Sequence, residues 1–150
     1  MEQGAQLELD NQLCFALYAC AREVTKLYRP YLDELGITYT QYVTLLALWE
    51  KDGVPVKELG TRLYLDSGTL TPLLKKLEGM TLIHRERDPE DERSVIVRLT
   101  EQGRELKTKA VTIPERVFCR TNMPGEEITQ LREQLRKLTT AVHEQSCGQL

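Results

Sequence analysis

Apolar residues recur along most of the chain at spacings of three and four, which is typical of amphipathic helices. Within residues 11–33, one such stripe consists of Leu13, Leu17, Cys20, Val24, Leu27 and Tyr31. Asp10 or Asn11 is expected to cap this helix, because a side-chain oxygen can accept from the free N–H groups of the first turn. Gly36 marks the break that follows it.

The next segment predicts three shorter helices. The first runs from about Tyr39 to Glu50 and ends at an Asp52-Gly53 turn. Its apolar face is formed by Tyr42, Leu45, Leu46 and Trp49. Pro55 starts the second, which continues to Leu63. After the turn Asp66-Ser67-Gly68, which offers two capping side chains, the third presents Leu70, Leu73, Leu74 and Leu77. Two short helices joined by a tight turn predict a helix-turn-helix.

A strand-like pattern follows the helix-turn-helix. The pattern predicts two strands, over residues 82–87 and 94–100. In the second strand, Val95, Val97 and Leu99 alternate with other residues. The connection, residues 88–93, is polar and contains Pro, as expected of a hairpin tip. A helix-turn-helix followed by a β-hairpin is a winged helix. The predicted fold class is therefore mainly α with a small β-hairpin wing.

The chain returns to helix after Gly103, with a kink expected at Pro114. Pro124-Gly125 separates this part from a last helix over about residues 126–145. Its apolar positions follow a three-four spacing, as in a coiled-coil seam: Ile128, Leu131, Leu135, Leu138 and Val142.

Composition restricts the class of protein. The 150 residues include 20 Lys and Arg and 23 Asp and Glu, which excludes a generally basic nucleic-acid coat protein but not a locally basic face. No apolar run has the roughly 18 residues of a membrane helix, and the first 21 residues contain no Lys or Arg. A cytoplasmic protein without membrane contact, and with its four cysteines as thiols, is expected. With no CxxC and two distant histidines, no metal site or cofactor is expected.

The third short helix has a polar face suited to DNA. If its leucines face inward, then Thr69, Thr71, Pro72, Lys75 and Lys76 lie wholly or partly outward. An α-helix fits the major groove, and a wing reaches the adjacent minor groove. At the wing tip, a carboxylate beside Arg93, from Asp91 or Glu92, can hold the guanidinium extended. The alternative is an ordinary solvated helix and hairpin, which the equal numbers of acidic and basic residues within 55–100 favour.

Particular residues resemble the winged-helix core of the MarR family of bacterial transcription regulators. They are Glu58-Leu59, Leu63, Leu77-Glu78, Leu82-Ile83, Arg85, Asp91, Arg93, Leu99-Thr100 and Gly103. The stretch 65–77, LDSGTLTPLLKKL, is similar to the organic hydroperoxide sensor branch, OhrR. The resemblance extends from about Asn11 to Val142. Family members commonly have Gly where this chain has Thr81, just before the first strand.

The resemblance implies one MarR-type domain that forms a homodimer on double-stranded operator DNA. Residues of about 11–50 and 101–146 would be dimerisation helices, and about 54–100 the winged-helix DNA-binding lobe. The DNA-binding candidates are Ser67, Thr69, Thr71, Pro72, Lys75, Lys76, Arg85, Asp91 and Arg93.

Cys14 is the candidate reactive thiol. Near the start of the first helix, the partial positive charge of free N–H groups favours a thiolate, which is the form that peroxide oxidises. Cys14 shares a stripe with Tyr28, but the two are about 21 Å apart along one helix. A partner chain could bring them together, and the resemblance to OhrR implies that Tyr28 and Tyr39 of the other subunit hold the thiolate. The alternative is a small buried cysteine without a redox role.

Three further cysteines are present. By resemblance to two-cysteine OhrR proteins, Cys119 captures oxidised Cys14 of the other subunit in a disulfide, although an incidental thiol on a bend is the competing interpretation. Cys20 falls on the apolar stripe and is expected to be structural, and Cys147 to be exposed in a polar tail.

The hypothesis is therefore a repressor, not an enzyme, that releases DNA when an organic hydroperoxide oxidises Cys14. A competing hypothesis is a MarR-type regulator released by a small aromatic ligand, with inert cysteines. Two rival hypotheses from different classes are a thiol peroxidase, for which no peroxidase motif is visible, and a dimerisation module without DNA binding.

Overall fold

The computed structural model describes residues 4–147, which are mainly helical with a small antiparallel sheet, as predicted. Two short 3-10 turns, Ala5–Leu7 and Leu9–Asn11, precede the first α-helix. The elements then follow in the order α1 (Leu13–Leu35), α2 (Tyr39–Glu50), β1 (Val54–Pro55), α3 (Val56–Leu63), α4 (Ser67–Gly79), β2 (Ile83–Arg87), β3 (Val95–Leu99), α5 (Glu101–Ala110), α6 (Ile113–Thr121) and α7 (Gly125–Cys147). Within the described range, no helix has the length and apolar character needed to cross a bilayer.

The described chain divides into two compact units, residues 4–113 and 114–147. The first contains the sheet, the helix-turn-helix and the principal buried cluster. The most deeply buried apolar side chains of that cluster include Leu45, Leu48, Leu59, Leu70, Leu74, Leu77, Ile83 and Val97. The second unit is dominated by α7, which has no buried residue.

Helix α2 matches its predicted bounds because both ends carry local signals. Thr38 and Gln41 form a capping box, in which each side chain accepts from the other residue's N–H, at 3.3 and 2.9 Å. The predicted break at Gly36 is confirmed, with φ of 71° and an N–H that donates back to the last turn of α1. The predicted buried face of α2 is wrong at one residue. Leu46, which was placed on that face, is 41% exposed, whereas Leu48, which was not, is fully buried.

The predicted cap of α1 is wrong. The N-cap is Gln12, and it makes no side-chain capping bond. Asp10 and Asn11 instead belong to the preceding 3-10 turn, where the Asn11 amide donates to the Ala5 carbonyl at 2.7 Å. This turn places the Asp10 and Asn11 side chains away from the free N–H groups in the first turn of α1, which they were expected to cap.

The helix-turn-helix consists of α3 and α4, as predicted. Pro55 is the N-cap of α3, and Asp66 caps α4 by accepting the Thr69 N–H at 2.7 Å. Leu70, Leu74 and Leu77 of α4 are at most 1% exposed. The inward face of α4 is therefore the one that the leucine spacing indicates.

The sheet has three strands in the order β1-β3-β2, so the predicted hairpin gains a strand. Within the hairpin, Ile83 pairs with Leu99 and Arg87 with Val95. The additional strand, β1, places Val54 opposite Val97. Two residues are too few to show a period-two pattern, and for that reason periodicity did not predict β1.

The helical break near Pro114 lies two residues earlier than predicted. Helix α5 ends at Ala110, and α6 begins at Ile113, so Pro114 is in the first turn of a new helix. Proline is tolerated there because its missing N–H has no intrahelical partner, whereas its ring disrupts the turn before it.

The stripe expected to form the core side of α1 is not buried within one chain. Leu13 is 62% and Val24 37% exposed, and Cys20 is also exposed, contrary to its predicted structural role. The α7 seam behaves in the same way, with Leu135 37% and Val142 55% exposed. Within residues 4–147, apolar side chains of each helix thus remain exposed, among them Leu13 and Val24 of α1 and Leu135 and Val142 of α7.

Thr81 adopts the conformation that glycine takes most easily, with φ of 61°. Its hydroxyl lies 2.6 Å from Gln102 Oε1, and its carbonyl accepts from the Thr100 hydroxyl at 2.5 Å. A β-branched residue is strained there. We expect Thr81→Gly to be about 1 kcal/mol more stable than Thr81→Ala, which lacks the same hydroxyl but keeps the strain. Urea unfolding measures the difference, and equal stabilities would contradict a strained Thr81.

Candidate functional site

The outward face of α4 carries most of the predicted DNA-binding side chains. Ser67, Thr69, Pro72, Lys75 and Lys76 are exposed, and Thr71 is half-buried. The buried leucines occupy the opposite face of the helix. Hydroxyl groups near the N-terminus and ammonium groups near the C-terminus of one exposed helix can contact base edges and phosphates, respectively.

The first turn of α4 is ordered by Asp66. Its hydrogen bond from the Thr69 N–H lowers the pKa of the Asp66 carboxyl. The carboxylate is ionised at neutral pH, as Asp ordinarily is, and it holds the turn that presents Ser67 and Thr69.

The wing tip is a hydrogen-bonded turn that leaves Arg93 exposed. The Asp88 N–H donates to the Ser94 carbonyl at 2.9 Å and closes the hairpin. Asp91 accepts from the main-chain N–H of Arg93 at 3.1 Å and not from its guanidinium. The expectation that Asp91 holds the guanidinium extended is thus wrong, because the carboxylate is used to form the turn.

Arg85 has different surroundings from the other DNA-binding candidates. Its Nη2 donates to Glu78 Oε1 at 3.1 Å, and its main-chain N–H donates to Glu78 Oε2 at 3.0 Å. The Arg85 side chain is 23% exposed, and that of Glu78 is 38% exposed. These hydrogen bonds lower the pKa of Glu78. The guanidinium is held against α4 from the wing.

The four cysteines are free and exposed. Cys14 lies in the first turn of α1, and that helix continues without a break past Tyr28. The two side chains of one chain are therefore about 21 Å apart, as the helical rise requires. Cys119 lies in α6, and Cys147 ends α7 with its Sγ 3.6 Å from His143 Nε2.

The fold brings the two predicted tyrosines together and adds a third. The ring centroids of Tyr28 and Tyr39 are 5.1 Å apart, and Tyr42 lies 5.7 Å from the first and 6.2 Å from the second. Tyr42 was expected only as a core residue. The available signal was its position three residues after Tyr39 on one helix, which places both on the same side.

Burial raises the pKa of all three hydroxyls of this tyrosine cluster (Tyr28, Tyr39 and Tyr42). The pKa of Tyr42 reaches about 12, with the neighbouring tyrosines adding to the effect of burial. At neutral pH the hydroxyls are protonated, so each retains a proton that it can donate to an anion.

Alkaline titration tests this arrangement. Because folding raises the pKa of the Tyr42 hydroxyl, this hydroxyl ionises near pH 10 in the unfolded chain and near pH 12 in the folded chain. The free energy of unfolding should therefore fall as the pH rises from 10 to 12. Phenolate absorbance should show a late-titrating group that disappears in Tyr42→Phe. A titration that Tyr42→Phe leaves unchanged would contradict the assignment.

A groove of about 640 Å³ runs beside the cluster, between α1 and the start of α2. One side carries Arg22, Lys26 and Arg29, and Tyr39 contributes to the other. The Arg22 guanidinium lies 5.4 Å from the Tyr18 ring centroid.

Helix α2 connects the tyrosine cluster to the sheet. Its first turn carries Tyr39 and Tyr42, whereas Trp49 in its last turn donates from Nε1 to the Gly103 carbonyl of α5 at 2.9 Å. Just beyond α2, Asp52 accepts the Leu99 N–H of β3 at 2.8 Å. Trp49 was expected to be core and is half-buried, with this hydrogen bond as its specific role.

Known proteins similar to this chain are transcription regulators. Residues 26–110 match the family described as transcriptional regulator SarA/Rot. The organic hydroperoxide resistance transcriptional regulator of Bacillus subtilis strain 168 is 51% identical over 140 residues, covering 93% of this chain and 95% of that protein.

Solved structures of AbfR from Staphylococcus epidermidis are also similar. Reduced AbfR bound to DNA has a TM-score of 0.75 and 34% identity, covering 93% of this chain and 97% of that one. Disulfide-formed AbfR has a TM-score of 0.62 and 36% identity, covering 91% and 96%.

Proposed function

Because the chain belongs to the MarR family of transcription regulators, in its organic hydroperoxide resistance branch, we propose that it is a DNA-binding repressor controlled by oxidation of Cys14. The family consists of regulators and not of enzymes. The observation that carries the proposal is a free, exposed thiol in the first turn of α1, in a chain 51% identical to a hydroperoxide resistance regulator.

DNA binding is assigned to α4 and the wing. Exposed Lys75 and Lys76 contact phosphates, the Thr69 and Thr71 region faces base edges, and Arg93 reaches the minor groove. AbfR, which has the same fold, has been solved on DNA. Two such lobes, related by a two-fold axis, fit half-sites about 34 Å apart, which is one turn of DNA.

A homodimer is supported by the apolar faces that the single chain leaves exposed. In α1 these include Leu13 and Val24, and in α7 Leu131, Leu135 and Val142. Helices that bury one apolar stripe are stable only when a partner covers it. A second copy covers both stripes in a closed, two-fold assembly.

The sensing chemistry begins at the Cys14 thiolate. Its sulfur attacks the terminal, hydrogen-bearing oxygen of an organic hydroperoxide, the O–O bond breaks, and the alkoxide leaves and takes up a proton to become an alcohol. Cys14 is then a sulfenic acid. Attack by the Cys119 thiol of the partner subunit forms the disulfide and releases water.

The tyrosine cluster supports the thiolate from the other subunit. Tyr28 and Tyr39 are protonated at neutral pH, as tyrosine hydroxyls ordinarily are, and burial raises the pKa of each further. A protonated hydroxyl donates to a thiolate, whereas a phenolate would repel it. Tyr42 joins the cluster as a packing partner of both rings.

The disulfide releases DNA by changing the distance between the two lobes. A disulfide requires Cα atoms within about 7 Å, so its formation fixes helices that were previously held only by packing. Lobes that no longer match two half-sites lose affinity for the operator.

Non-reducing electrophoresis after one equivalent of cumene hydroperoxide tests the pairing. We expect a band containing two chains, which dithiothreitol removes and Cys119→Ser abolishes. Cys20→Ser and Cys147→Ser are matched controls, since neither thiol belongs to the proposed pair of Cys14 and Cys119, and these variants should still form the band. If the oxidised wild-type protein migrates only as a single chain, carrying an adduct but no second chain, the proposed role of Cys119 is contradicted.

A further inference from the structure

Glu78 and Arg85 connect the last turn of α4 to β2 by two hydrogen bonds. One carboxylate oxygen accepts from the guanidinium, and the other accepts from the Arg85 main-chain N–H. Glu78 is the penultimate residue of α4, and Arg85 is the middle residue of β2. A single side chain of the helix therefore holds both the backbone and the side chain of the wing strand.

The position of β2 explains why its backbone is available. The strand order is β1-β3-β2, so β2 is an edge strand with N–H groups along its outer side. Arg85 lies opposite Val97 in the sheet, yet its N–H donates to Glu78. The carboxylate thus takes the place that a further strand would occupy.

This pair is the least exposed ion pair of the winged-helix lobe. Its side chains are 23% and 38% exposed, whereas those of Arg98 and Glu86, across β2 and β3, are 49% and 46% exposed. Arg85 Nε is buried without a hydrogen-bond partner within residues 4–147. A buried donor without a hydrogen-bond partner is unfavourable. Packing alone would therefore not favour an arginine at position 85.

We propose that Glu78 and Arg85 are positioning residues, which fix the angle between α4 and the wing so that both reach DNA together. This inference rests on the DNA binding proposed above. Only Met80, Thr81 and Leu82 connect α4 to β2, and the segment turns at Thr81. Without the pair, the packing of the leucines and the hydrogen bonds of this short turn, including those of Thr81 with Gln102 and Thr100, would be the remaining restraints on that angle.

The competing role for Arg85 is direct contact with a phosphate, and the two roles predict opposite effects. If Arg85 binds DNA, Glu78 opposes that contact by holding the guanidinium and by repelling phosphate. Removing the Glu78 charge would then strengthen binding to every duplex. If Glu78 positions Arg85 and the wing, removing that charge weakens binding selectively, because only a specific site requires helix and wing to be aligned.

The test uses the full-length reduced protein and two duplexes of equal length. One is selected by the wild-type protein from a random library, and the other is its scrambled counterpart. For Glu78→Gln we expect an affinity loss of about tenfold or more on the selected duplex and less than about twofold on the scrambled one. Arg85→Gln should lose a similar amount of affinity for the selected duplex, and the double variant should lose no more affinity than either single variant.

Glu86→Gln is the matched control. It removes the same charge from an ion pair of the same wing, and it should change neither affinity by more than about twofold. Glu78→Asp keeps the charge but shortens the reach, so it should lose selectivity as Glu78→Gln does while its thermal unfolding confirms a folded protein. Tighter binding of Glu78→Gln, or unchanged selectivity in both Glu78 variants, overturns the proposal. A wild-type protein that selects no duplex overturns the DNA-binding function itself.

Discussion

The Cys14→Ser protein should remain bound to DNA after exposure to an organic hydroperoxide. Serine is close to cysteine in size but has no thiolate, so the variant should fold and bind normally yet have no nucleophile for the peroxide oxygen. For the wild-type protein we expect oxidation to lower affinity about a hundredfold or more, since a switch from mostly bound to mostly free needs several kcal/mol. For Cys14→Ser the change should be less than about twofold.

An electrophoretic mobility shift with the selected duplex, titrated with cumene hydroperoxide, measures this difference. Cys20→Ser and Cys147→Ser should respond as the wild-type protein does, because neither thiol lies in the first turn of α1. Continued release of DNA by oxidised Cys14→Ser would place the sensor elsewhere. Release by a small aromatic compound, without any response to peroxide, would instead support the ligand-controlled regulator.

Gly103→Ala should destabilise the first unit strongly. A Cβ at Gly103 would lie 2.1 Å from the Leu82 carbonyl oxygen and 3.2 Å from Leu99 Cδ2. That carbonyl already accepts the Thr100 N–H at 3.0 Å, so it cannot move without losing a bond. Gly103 also receives the Trp49 hydrogen bond. We expect a loss of about 3 kcal/mol, at the upper end of overpacking effects.

Gly79→Ala is a matched control, since a Cβ at Gly79 meets nothing within 4 Å. This variant should be as stable as the wild-type protein or slightly more stable, because alanine favours helix. Urea unfolding of the reduced proteins measures both variants. Equal midpoints for Gly103→Ala and the wild-type protein would show that α5 shifts freely away from Leu82, contrary to the close approach of the two segments.

Local patterns predicted the elements well where the signals were dense. The α2 bounds were predicted correctly because Gly36 and Asp52-Gly53 interrupt the chain on both sides. The leucine spacing of α4 correctly indicated its buried face. Leu46 and Leu48 show the limit of this approach, since α2 is apolar nearly all round and periodicity alone could not choose its buried side.

The contacts within the candidate site were less predictable. A carboxylate of Asp91 or Glu92 was expected to hold the Arg93 guanidinium. Asp91 instead accepts the Arg93 main-chain N–H, because the turn geometry decides which donor is nearer. The pairing of Glu78 with Arg85 joins residues on different elements, which no spacing along one helix or strand indicates. The contribution of Tyr42 depends in the same way on how α1 packs against α2.

Periodicity and turn chemistry are properties of neighbouring residues, and they were sufficient to specify α2, the helix-turn-helix, the two strands of the wing and the placement of Cys14 near a helix start. Burial and side-chain pairing depend on which elements meet in three dimensions. The fold therefore established that α1 and α7 leave apolar stripes exposed in a single chain, that three tyrosines cluster, and that Arg85 is held by Glu78. Each of these results comes from packing between elements that are separated in the sequence.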